Sequence, residues 1–531
     1  MRPIRGSLGV RPTGRWWVVA APALVRAPAP DEPDPAAAPS AAPATPAVDD
    51  RDDRRHRALI AAICVAAFVG GVAGLASRSL WMDEAMSVGA SRNLVEAITS
   101  EGSSMGPYFV LLRGVSEVSA AAWWLRLPSL LCAVAALPVL DAVARRLGSR
   151  RLAATAVALA AASWLWLRYA QEARSYAMAM LLTTVSWYAL LRSMRRDPED
   201  VDRWWTVFAA ASVLCVLTHG LGILQLGAQV AVLLTLPQGT AWLRRAMPVV
   251  IASGVAMAAM ILPGAVVAPQ WVQPLSWSQA GALLQAATGP TMAAKVALSG
   301  LALAGAALGL VRWRRHGRSL EGSLALVPVA WGLVPAIGLA AMSVADPVLV
   351  PRYVIGSVPG VALLIATSLD AIGPAAVRRG ATALVLALLV AGQVSWHTEP
   401  YDDFRSVARH IEAEARPGDG LFLPNPLVRP QLDYQWLDGD HAPEGLIPMV
   451  PLDPIGSLPR FYEVPDVTDA ELGDLLVATD VQRVWTLDQD AHLLHAKVPT
   501  YLADPTFAAT FRVAERTTYD GGLTLYLLVR R

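Results

Sequence analysis

The sequence predicts an all-α polytopic membrane protein that carries a small α/β domain at its C-terminal end. Composition, recurring apolar segments and an uneven distribution of charge lead to this prediction. Of the 531 residues, 54% are hydrophobic and only 16% are charged, whereas ordinary soluble domains contain about 25% charged residues. The composition therefore does not favour a soluble enzyme.

The formal net charge of +1 conceals two oppositely charged regions. Residues 398–531 contain 22 acidic and 11 basic residues, whereas residues 1–397 contain 33 basic and 21 acidic residues. Such an asymmetry indicates that the two regions occupy different environments. The basic residues lie in short clusters between apolar segments, so the charge does not indicate a nucleic-acid partner.

Residues 1–57 form a low-complexity segment rich in proline and alanine, with ten prolines in the first fifty positions. Such a segment cannot bury enough apolar surface to offset the entropy of ordering it. We therefore expect a disordered cytoplasmic tail, or a start placed too early. The short apolar stretch at residues 16–24 also resembles a signal-peptide core, which is the alternative.

Eleven apolar segments follow, near the length of about 20 helical residues that spans a bilayer. They cover residues 58–77, 121–141, 152–168, 174–191, 204–218, 220–236, 247–267, 292–311, 323–345, 353–370 and 380–397. Arginine clusters lie on alternate loops, at Arg51–Arg57, Arg145–Arg151, Arg192–Arg196, Arg244–Arg245, Arg312–Arg318 and Arg378–Arg379. The positive-inside rule assigns these loops to the cytoplasm. The N-terminus is then cytoplasmic and, because eleven is odd, the C-terminal domain is extracytoplasmic.

Residues 398–531 contain no segment that could span a membrane and predict a soluble extracytoplasmic α/β domain. The pattern indicates two helices, two strands and a closing hairpin. In chain order, these elements are expected at residues 404–415, 420–424, 469–478, 481–487 and 507–529.

The outward loop after the first span contains two adjacent acids, Asp83 and Glu84. The structural interpretation is a helix N-terminus in which Asp83 is the cap and Glu84 lies in the first turn. The functional interpretation is a pair of carboxylates placed at the water–lipid boundary for chemistry. Residues 84–98 and 108–115 carry apolar positions that would suit interfacial helices, which would form a shelf beside Asp83.

Three further outward points carry ionisable groups. Glu172 and Arg174 lie where the fourth span begins, and they are either a local ion pair or part of an anion site. His219 lies between the fifth and sixth spans and is either structural or functional. Arg352 and Tyr353 begin the tenth span on the outward side. Because basic residues are enriched on cytoplasmic loops, topology does not explain an arginine at this position.

Neither a disulfide framework nor a metal site is indicated. Cys64, Cys132 and Cys215 lie in apolar stretches at unrelated spacings, which favours small core residues. The acids of the outward loops are too few and scattered to argue for a metal, although a divalent cation stays an alternative. No other cofactor is assigned.

Four short motifs, taken in chain order, resemble the C-type polytopic glycosyltransferases. They are Trp-x-Asp-Glu-Ala at 81–85, Glu-Ala-Arg-Ser-Tyr at 172–176, Thr-His at 218–219 and Pro-Arg-Tyr at 351–353. Within this group the chain is most similar to bacterial members of family 39, which are like the dolichyl-phosphate-mannose-protein mannosyltransferases. The resemblance covers about residues 58–420 and implies a multi-pass protein of a bacterial plasma membrane.

The resemblance implies an enzyme that takes a sugar, most simply a mannose-like one, from a polyprenyl-phosphate carrier in the bilayer. The acceptor would be a hydroxyl of a protein or glycan on the extracytoplasmic side. Asp83 is expected to be the general base, with Glu84 orienting it or the acceptor. A single displacement would invert the anomeric configuration. The groups expected to bind the donor phosphate or the substrate are Glu172, Arg174, His219, Arg352 and Tyr353.

Two other classes of function remain open on the sequence. A transporter of a lipid-linked or small solute would place ionisable groups near the membrane midplane and show internal repeats, and no repeat is visible here. A non-catalytic scaffold would use the outward domain to dock a partner of the cell envelope.

Overall fold

The computed structural model describes residues 50–99, 105–194, 198–261, 272–423, 425, 427–437, 440–459, 462, 474, 476–489 and 505–531. Most of the predicted tail, residues 1–49, lies outside these residues. The first helix begins at Asp50, within the segment that the sequence assigns to the tail of residues 1–57. The reason is that a charged turn continues into the apolar span without a helix-breaking residue.

The membrane region is built from helices. They are α1 (Asp50–Val72), α2 (Met82–Arg92), α3 (Leu94–Thr99), α4 (Gly106–Ser116), α5 (Ala122–Leu147), α6 (Arg150–Ala162), α7 (Trp164–Ala170), α8 (Tyr176–Ser193), α9 (Pro198–Thr218), α10 (Ile223–Thr235), α11 (Gly239–Ile261), α12 (Trp277–Thr288), α13 (Met292–His316), α14 (Leu320–Ala325), α15 (Val327–Ala345), α16 (Val358–Asp370) and α17 (Ala375–Thr398). Short 3₁₀ turns at Gly220–Gly222 and Pro351–Ser357 precede α10 and α16.

The count of eleven spans is not confirmed, although every predicted span coincides with a helical segment. Within the described residues, eight helices are long and apolar enough to cross a membrane, or nine if a bent pair counts as one span. That pair is α6 and α7, which meet at 60°. Gln393 donates to the carbonyls of Ala161 and Ser163 at 2.9 and 3.3 Å, which satisfies backbone groups that the bend releases.

The remaining two predicted spans are short or polar. The apolar helix at Gly220–Thr235 is shorter than a bilayer requires. Helix α8 carries the buried polar side chains Thr183, Thr184 and Ser186, which lower its mean hydropathy. Because these side chains are bonded inside the bundle, for example Gln229 to Ser186 at 2.7 Å, α8 is a buried helix of the bundle centre.

Residues 404–531 form a separate α/β layer with five described strands. They are β1 (Gly420–Phe422), β2 (Ile447–Val450), β3 (Arg483–Gln489), β4 (Phe511–Tyr519) and β5 (Leu523–Arg530), in the sheet order β2-β1-β3-β5-β4. Its described helices are α18 (Phe404–Glu414), α19 (Arg429–Gln435) and α20 (Pro505–Thr510). The predicted first helix, the two strands and the hairpin are therefore present, whereas β2 and α19 were not predicted. Most of the helix expected at 469–478 lies outside the described residues.

The C-terminal layer packs on the same end of the bundle as α2 and α4. Leu458 is fully buried in one apolar cluster with Leu80, Val88 and Tyr108. Its carbonyl and that of Pro459 approach Gly89 of α2 so closely that a side chain there would collide with them. Residues 458–459 thus lie directly against α2, the helix whose first turn contains Asp83.

Candidate active site at the start of α2

The start of α2 separates the roles of its two acids. The N-cap position is Trp81, in an extended conformation, so the interpretation of Asp83 as the cap is wrong. Both acids lie in the first turn, where the helix dipole favours negative charge. Glu84 accepts a bond from the backbone nitrogen of Trp81 at 3.3 Å and stabilises the turn itself.

Glu84 is fully engaged inside the protein. It is 1% exposed and its two oxygens accept from Nε and Nη2 of Arg126 at 2.7 and 2.6 Å. Its Oε1 also accepts from the backbone nitrogen of Ala173 at 2.7 Å. With its acceptor sites filled in this way, Glu84 positions α2 against α5 and the 171–175 loop. The expectation that Glu84 is a catalytic group is not supported by this geometry.

Arg126 is a central residue that the sequence analysis missed. Besides Glu84, its guanidinium donates to the carbonyls of Leu75, Arg78 and Ser79 at 2.8 to 3.0 Å. It therefore holds the connection from α1 to α2 in one conformation. A lone arginine inside the predicted span 121–141 was the available signal, because a charge at membrane depth is costly unless it has a task.

Asp83 faces two arginines that come from distant parts of the chain. Its Oδ2 lies 3.3 Å from Nη2 of Arg174 and 3.5 Å from Nη2 of Arg352. These are ion-pair distances, yet Oδ2 has no hydrogen-bond partner among the described residues. The side chain of Asp83 is 14% exposed to solvent. Asp83 is thus held beside two cations while retaining an oxygen that can accept a proton.

Arg174 is fixed from two sides. Its Nη1 donates to the carbonyl oxygen of Asp83 at 3.0 Å and to the hydroxyl of Ser87 at 2.9 Å. Its own carbonyl accepts from Ser129, whose hydroxyl is paired with that of Tyr108 at 3.0 Å. The chain of bonds through Tyr108 and Ser129 explains why this guanidinium stays at the start of α2.

His219 and Tyr353 meet at the same place. Their rings lie 4.9 Å apart between centroids, and Tyr176 lies 5.6 Å from His219 on the other side. Burial lowers the pKa of His219 to about 4, with a further lowering from Arg174 and Arg352. The imidazole is therefore neutral at physiological pH and does not add a third cation to the site.

The carboxylate of Glu172 is paired with Arg168, and Glu172 contacts Arg174 through the backbone, where the nitrogen of Arg174 donates to the carbonyl of Glu172 at 2.8 Å. Its Oε1 accepts from Nε of Arg168 at 3.1 Å, while Oε2 has no hydrogen-bond partner among the described residues. Glu172 is only 4% exposed. Burial is the main cause that raises its pKa to about 7, against the opposing effect of Arg168.

Two guanidinium groups, those of Arg174 and Arg352, lie beside the single carboxylate of Asp83. Such planar donor groups suit a phosphate, which arginine can bind through two parallel bonds. Among the residues that the structure describes, no group of three or more His, Cys, Asp and Glu side chains could hold a metal ion.

An apolar cavity of about 350 Å³ opens inside the bundle next to this site. Its wall includes Val354 and Ser357, which directly follow Arg352 and Tyr353, and Leu165 of α7. Leu283 of α12 and Leu389 of α17 form other parts of the lining. The segment that carries Arg352 and Tyr353 therefore continues directly into the wall of an apolar cavity.

The fold is that of the polytopic C-type glycosyltransferases, as the comparison with solved structures shows. The chain is similar to ArnT from Cupriavidus metallidurans in the apo state, with a TM-score of 0.57 and 15% identity, over 90% of this chain and 98% of that chain. The structure of ArnT bound to undecaprenyl phosphate gives a TM-score of 0.57 and 14% identity, over 88% and 97% of the two chains. The Archaeoglobus fulgidus oligosaccharyltransferase AglB, in complex with an inhibitory peptide and a dolichol-phosphate, gives 0.53 and 10%, over 82% and 69%.

These similarities confirm the fold that the sequence resemblance implied, and with the apolar helices they identify a multi-pass membrane protein. No protein-family model matches the chain, and no curated protein matches it by sequence. The narrower similarity to family 39 stays a prediction.

Proposed function

We propose that this protein is a membrane glycosyltransferase that moves a sugar from a polyprenyl-phosphate donor to an acceptor hydroxyl. The observation that carries the proposal is the convergence of Arg174 and Arg352 on one oxygen of Asp83. A base next to two cations is what such a transfer requires. The acceptor must lose a proton while a phosphate leaves with the bonding electrons.

The step balances as a single displacement. The acceptor oxygen forms a bond to the anomeric carbon, and the bond from that carbon to the phosphate oxygen breaks. Asp83 takes the hydroxyl proton, and the released phosphate monoester keeps the electron pair beside Arg174 and Arg352. Attack from the side opposite the leaving group inverts the configuration, which is why we expect an inverting enzyme.

The neighbouring apolar cavity supports a lipid donor. A polyprenyl chain whose phosphate lies at Arg352 would have apolar cavity wall nearby, because Val354, two residues further along the chain, belongs to that wall. Undecaprenyl phosphate and a dolichol-phosphate are bound in the ArnT and AglB structures, and we extend that donor class to this chain. A mannose-like sugar and a protein or glycan acceptor remain the choices that the sequence resemblance favours.

The proposal includes the orientation in a bacterial plasma membrane. The site and the acidic C-terminal layer lie at one end of the bundle. The other end holds ion pairs such as Arg151 with Asp370 at 2.7 Å. The positive-inside rule places that arginine-rich end in the cytoplasm, and therefore the site outside it. A reporter that is active only outside the cytoplasm, fused at Arg531, should be active, and a silent reporter would overturn this orientation.

The activity can be tested with membrane vesicles that contain the protein and their own acceptors. Undecaprenyl phosphate carrying radiolabelled mannose, glucose or galactose is added, and label is followed from the lipid into other envelope material. We expect transfer by the wild type and near-complete loss in Asp83→Asn. The matched control is Asp370→Asn, which removes a carboxylate from an arginine pair at the far end of the span that begins with Pro351.

The alternatives give different results in the same assay. If no label leaves any lipid donor with the wild type, the glycosyltransferase proposal is wrong. A transporter would move the intact lipid-linked sugar across the vesicle without breaking its phosphate bond. Transfer that persists in Asp83→Asn would remove the assignment of Asp83 as the base.

A further inference from the structure

A second cavity, which is polar and has a volume of about 370 Å³, is lined in part by Trp81 and shares no lining residue with the apolar one. It is bordered by the start of α2, the 171–175 loop and the linker that follows α17, residues 399–402. Its lining residues include Trp81, Arg168, Glu172, Trp396, Glu399 and Tyr401. Its volume is in the range of pockets for small molecules.

The lining combines groups of both charges with aromatic rings. Arg78 and Arg168 both lie over the ring of Trp396, with their guanidinium carbons 3.9 and 5.1 Å from its centroid. The same cavity is lined by the carboxylates of Glu172, which is paired with Arg168, and of Glu399. An anion would meet the carboxylates and a cation would meet the arginines. A neutral ring with many hydroxyls satisfies both kinds of group, because each hydroxyl donates and accepts.

Two buried polar atoms on residues of the cavity wall have no partner in the part of the chain that the structure describes. One is Oε2 of Glu172, whose side chain is almost completely buried, and the other is Nε1 of Trp81. A buried polar atom without a partner costs free energy unless a ligand or water completes it. One of these atoms accepts and the other donates, which again suits a hydroxyl-bearing ligand.

Trp81 also connects the cavity with the phosphate site, because the guanidinium of Arg352 lies 5.8 Å from the Trp81 ring centroid. We infer that this polar cavity binds the sugar ring of the lipid-linked donor, with Glu172 and Trp81 hydrogen-bonded to its hydroxyls. This inference rests on the proposed function. It assigns Glu172 to recognition of the sugar, not to the phosphate, and makes Trp81 a second recognition residue.

The test compares binding of two probes to the purified full-length protein in detergent. One probe is undecaprenyl phosphate, and the other is the undecaprenyl-phosphate sugar that supports transfer in vesicles. We expect the wild type to bind the sugar-bearing lipid more tightly. At pH 8, above the pKa of about 7 of Glu172, Glu172→Gln should weaken binding of the sugar-bearing lipid by about tenfold, because a charge-assisted bond becomes a neutral one. Its affinity for undecaprenyl phosphate should change by less than about twofold.

Trp81→Phe provides a second variant with little risk to folding, because it removes a donor that has no protein partner among the described residues. It should also weaken binding of the sugar-bearing lipid selectively. Trp313→Phe, which likewise removes an unpartnered indole donor, and Glu321→Gln, at an exposed pair with His316, are the controls. Both controls should leave the two affinities unchanged.

The outcomes distinguish this inference from the proposed function. If the wild type transfers sugar but Glu172→Gln and Trp81→Phe bind both lipids as the wild type does, the cavity does not hold the donor sugar. An equal loss for both lipids would assign the two residues to the phosphate and also overturn the inference. If the wild type transfers no sugar from any of the lipids, the proposed function has failed first.

Discussion

Two carboxylates on short helices, Asp83 and Asp433, face arginines in different ways. Asp433, on α19 of the C-terminal layer, is fully buried, and its Oδ1 accepts from Nε of Arg429 at 2.8 Å and from the backbone nitrogen of Gly456 at 3.0 Å. Its Oδ2 accepts from the hydroxyl of Tyr462 at 2.9 Å. Asp83 keeps its arginines at 3.3 and 3.5 Å and has an oxygen without a hydrogen bond among the described residues.

The difference separates a carboxylate whose oxygens are hydrogen-bonded by the protein from one that has an oxygen without a hydrogen bond among the described residues. A carboxylate whose acceptor sites are filled by protein stabilises the fold and cannot take a proton without breaking bonds. Asp433 is of this kind, and Arg429 uses its other nitrogens on the carbonyls of Pro451 and Asp453. The network therefore shapes the loop that carries Leu458 onto α2. We call the hydrogen-bonded network around Asp433 the closed centre and the groups around Asp83 the open centre. The closed centre thus supports the segment that contacts the helix of the open centre.

The largest effect is expected when the open carboxylate is neutralised. Asp83→Asn should reduce sugar transfer by about 10²- to 10⁴-fold, the usual contribution of a general base. The thermal unfolding midpoint should change less than in Asp433→Asn, because Asp83 makes no close hydrogen bond through Oδ2. Transfer rates in vesicles and unfolding in detergent measure the two quantities. An Asp83→Asn protein that unfolds early but retains its activity would reverse the comparison.

The sequence predicted this open centre better than the network around it. Asp83, Arg174, His219 and Arg352 were expected on one side of the membrane, and the structure brings all four together. Topology was sufficient for that expectation, since alternate loops meet at the same end of a bundle. It does not determine which side chains pair.

Pairing inside the protein depends on packing between distant helices. Glu84 is adjacent to Asp83 in sequence, yet helical geometry turns it toward Arg126 and away from the open side. Arg126 itself was hidden in an apolar segment, and α19 was hidden in a linker without a clear period. The polar cavity is formed by three segments that are distant in sequence, so it can be predicted only when the positions of all three are known. None of these follows from local pattern.

The second-largest effect is expected at the closed centre. Asp433→Asn leaves Arg429 buried without its charge partner, and breaking a buried pair from one side costs about 3–5 kcal/mol. We expect a lower unfolding midpoint and a transfer rate that falls with it, because the loop at Leu458 loses its support. Asp346→Asn, at the C-terminal end of α15, is a control outside this network. If Asp433→Asn is as stable as the control, the network does not hold the loop.

A smaller effect is expected from pH at His219, because the ring is only half-buried. Its pKa is lowered to about 4 in the folded protein from 6.5. Between these two pH values His219 binds a proton in the unfolded chain but not in the folded one. The contribution of His219 to the free energy of unfolding is therefore fully present above pH 6.5 and declines as the pH falls toward 4. His219→Gln removes this contribution. The difference in unfolding midpoint between the wild type and His219→Gln should therefore change over pH 6.5 to 4, and a constant difference would contradict a neutral His219.

The smallest effect is expected at the contact between the segment at Leu458, which the Asp433 network supports, and α2, which carries Asp83. A methyl group at Gly89 would lie 2.8 Å from the carbonyl oxygen of Pro459 and 3.1 Å from that of Leu458. Gly89→Ala should thus destabilise by about 1–3 kcal/mol through overpacking. Gly114→Ala in α4 is the matched control, because its methyl group meets nothing within 4 Å. There the substitution should stabilise by up to about 1 kcal/mol through helix propensity.

The changes in unfolding midpoint caused by Gly89→Ala and Gly114→Ala show whether the segment at Leu458 presses on α2, because we expect them to have opposite signs. Both glycines lie in short helices at the same end of the bundle, so propensity alone would raise both unfolding midpoints. Leu458 adopts a left-handed φ of 46°, which is costly for leucine and is offset here by its complete burial. If Gly89→Ala raises the midpoint as Gly114→Ala does, the loop does not press on α2. A lower midpoint together with slower transfer would show that the C-terminal layer positions the helix that carries Asp83.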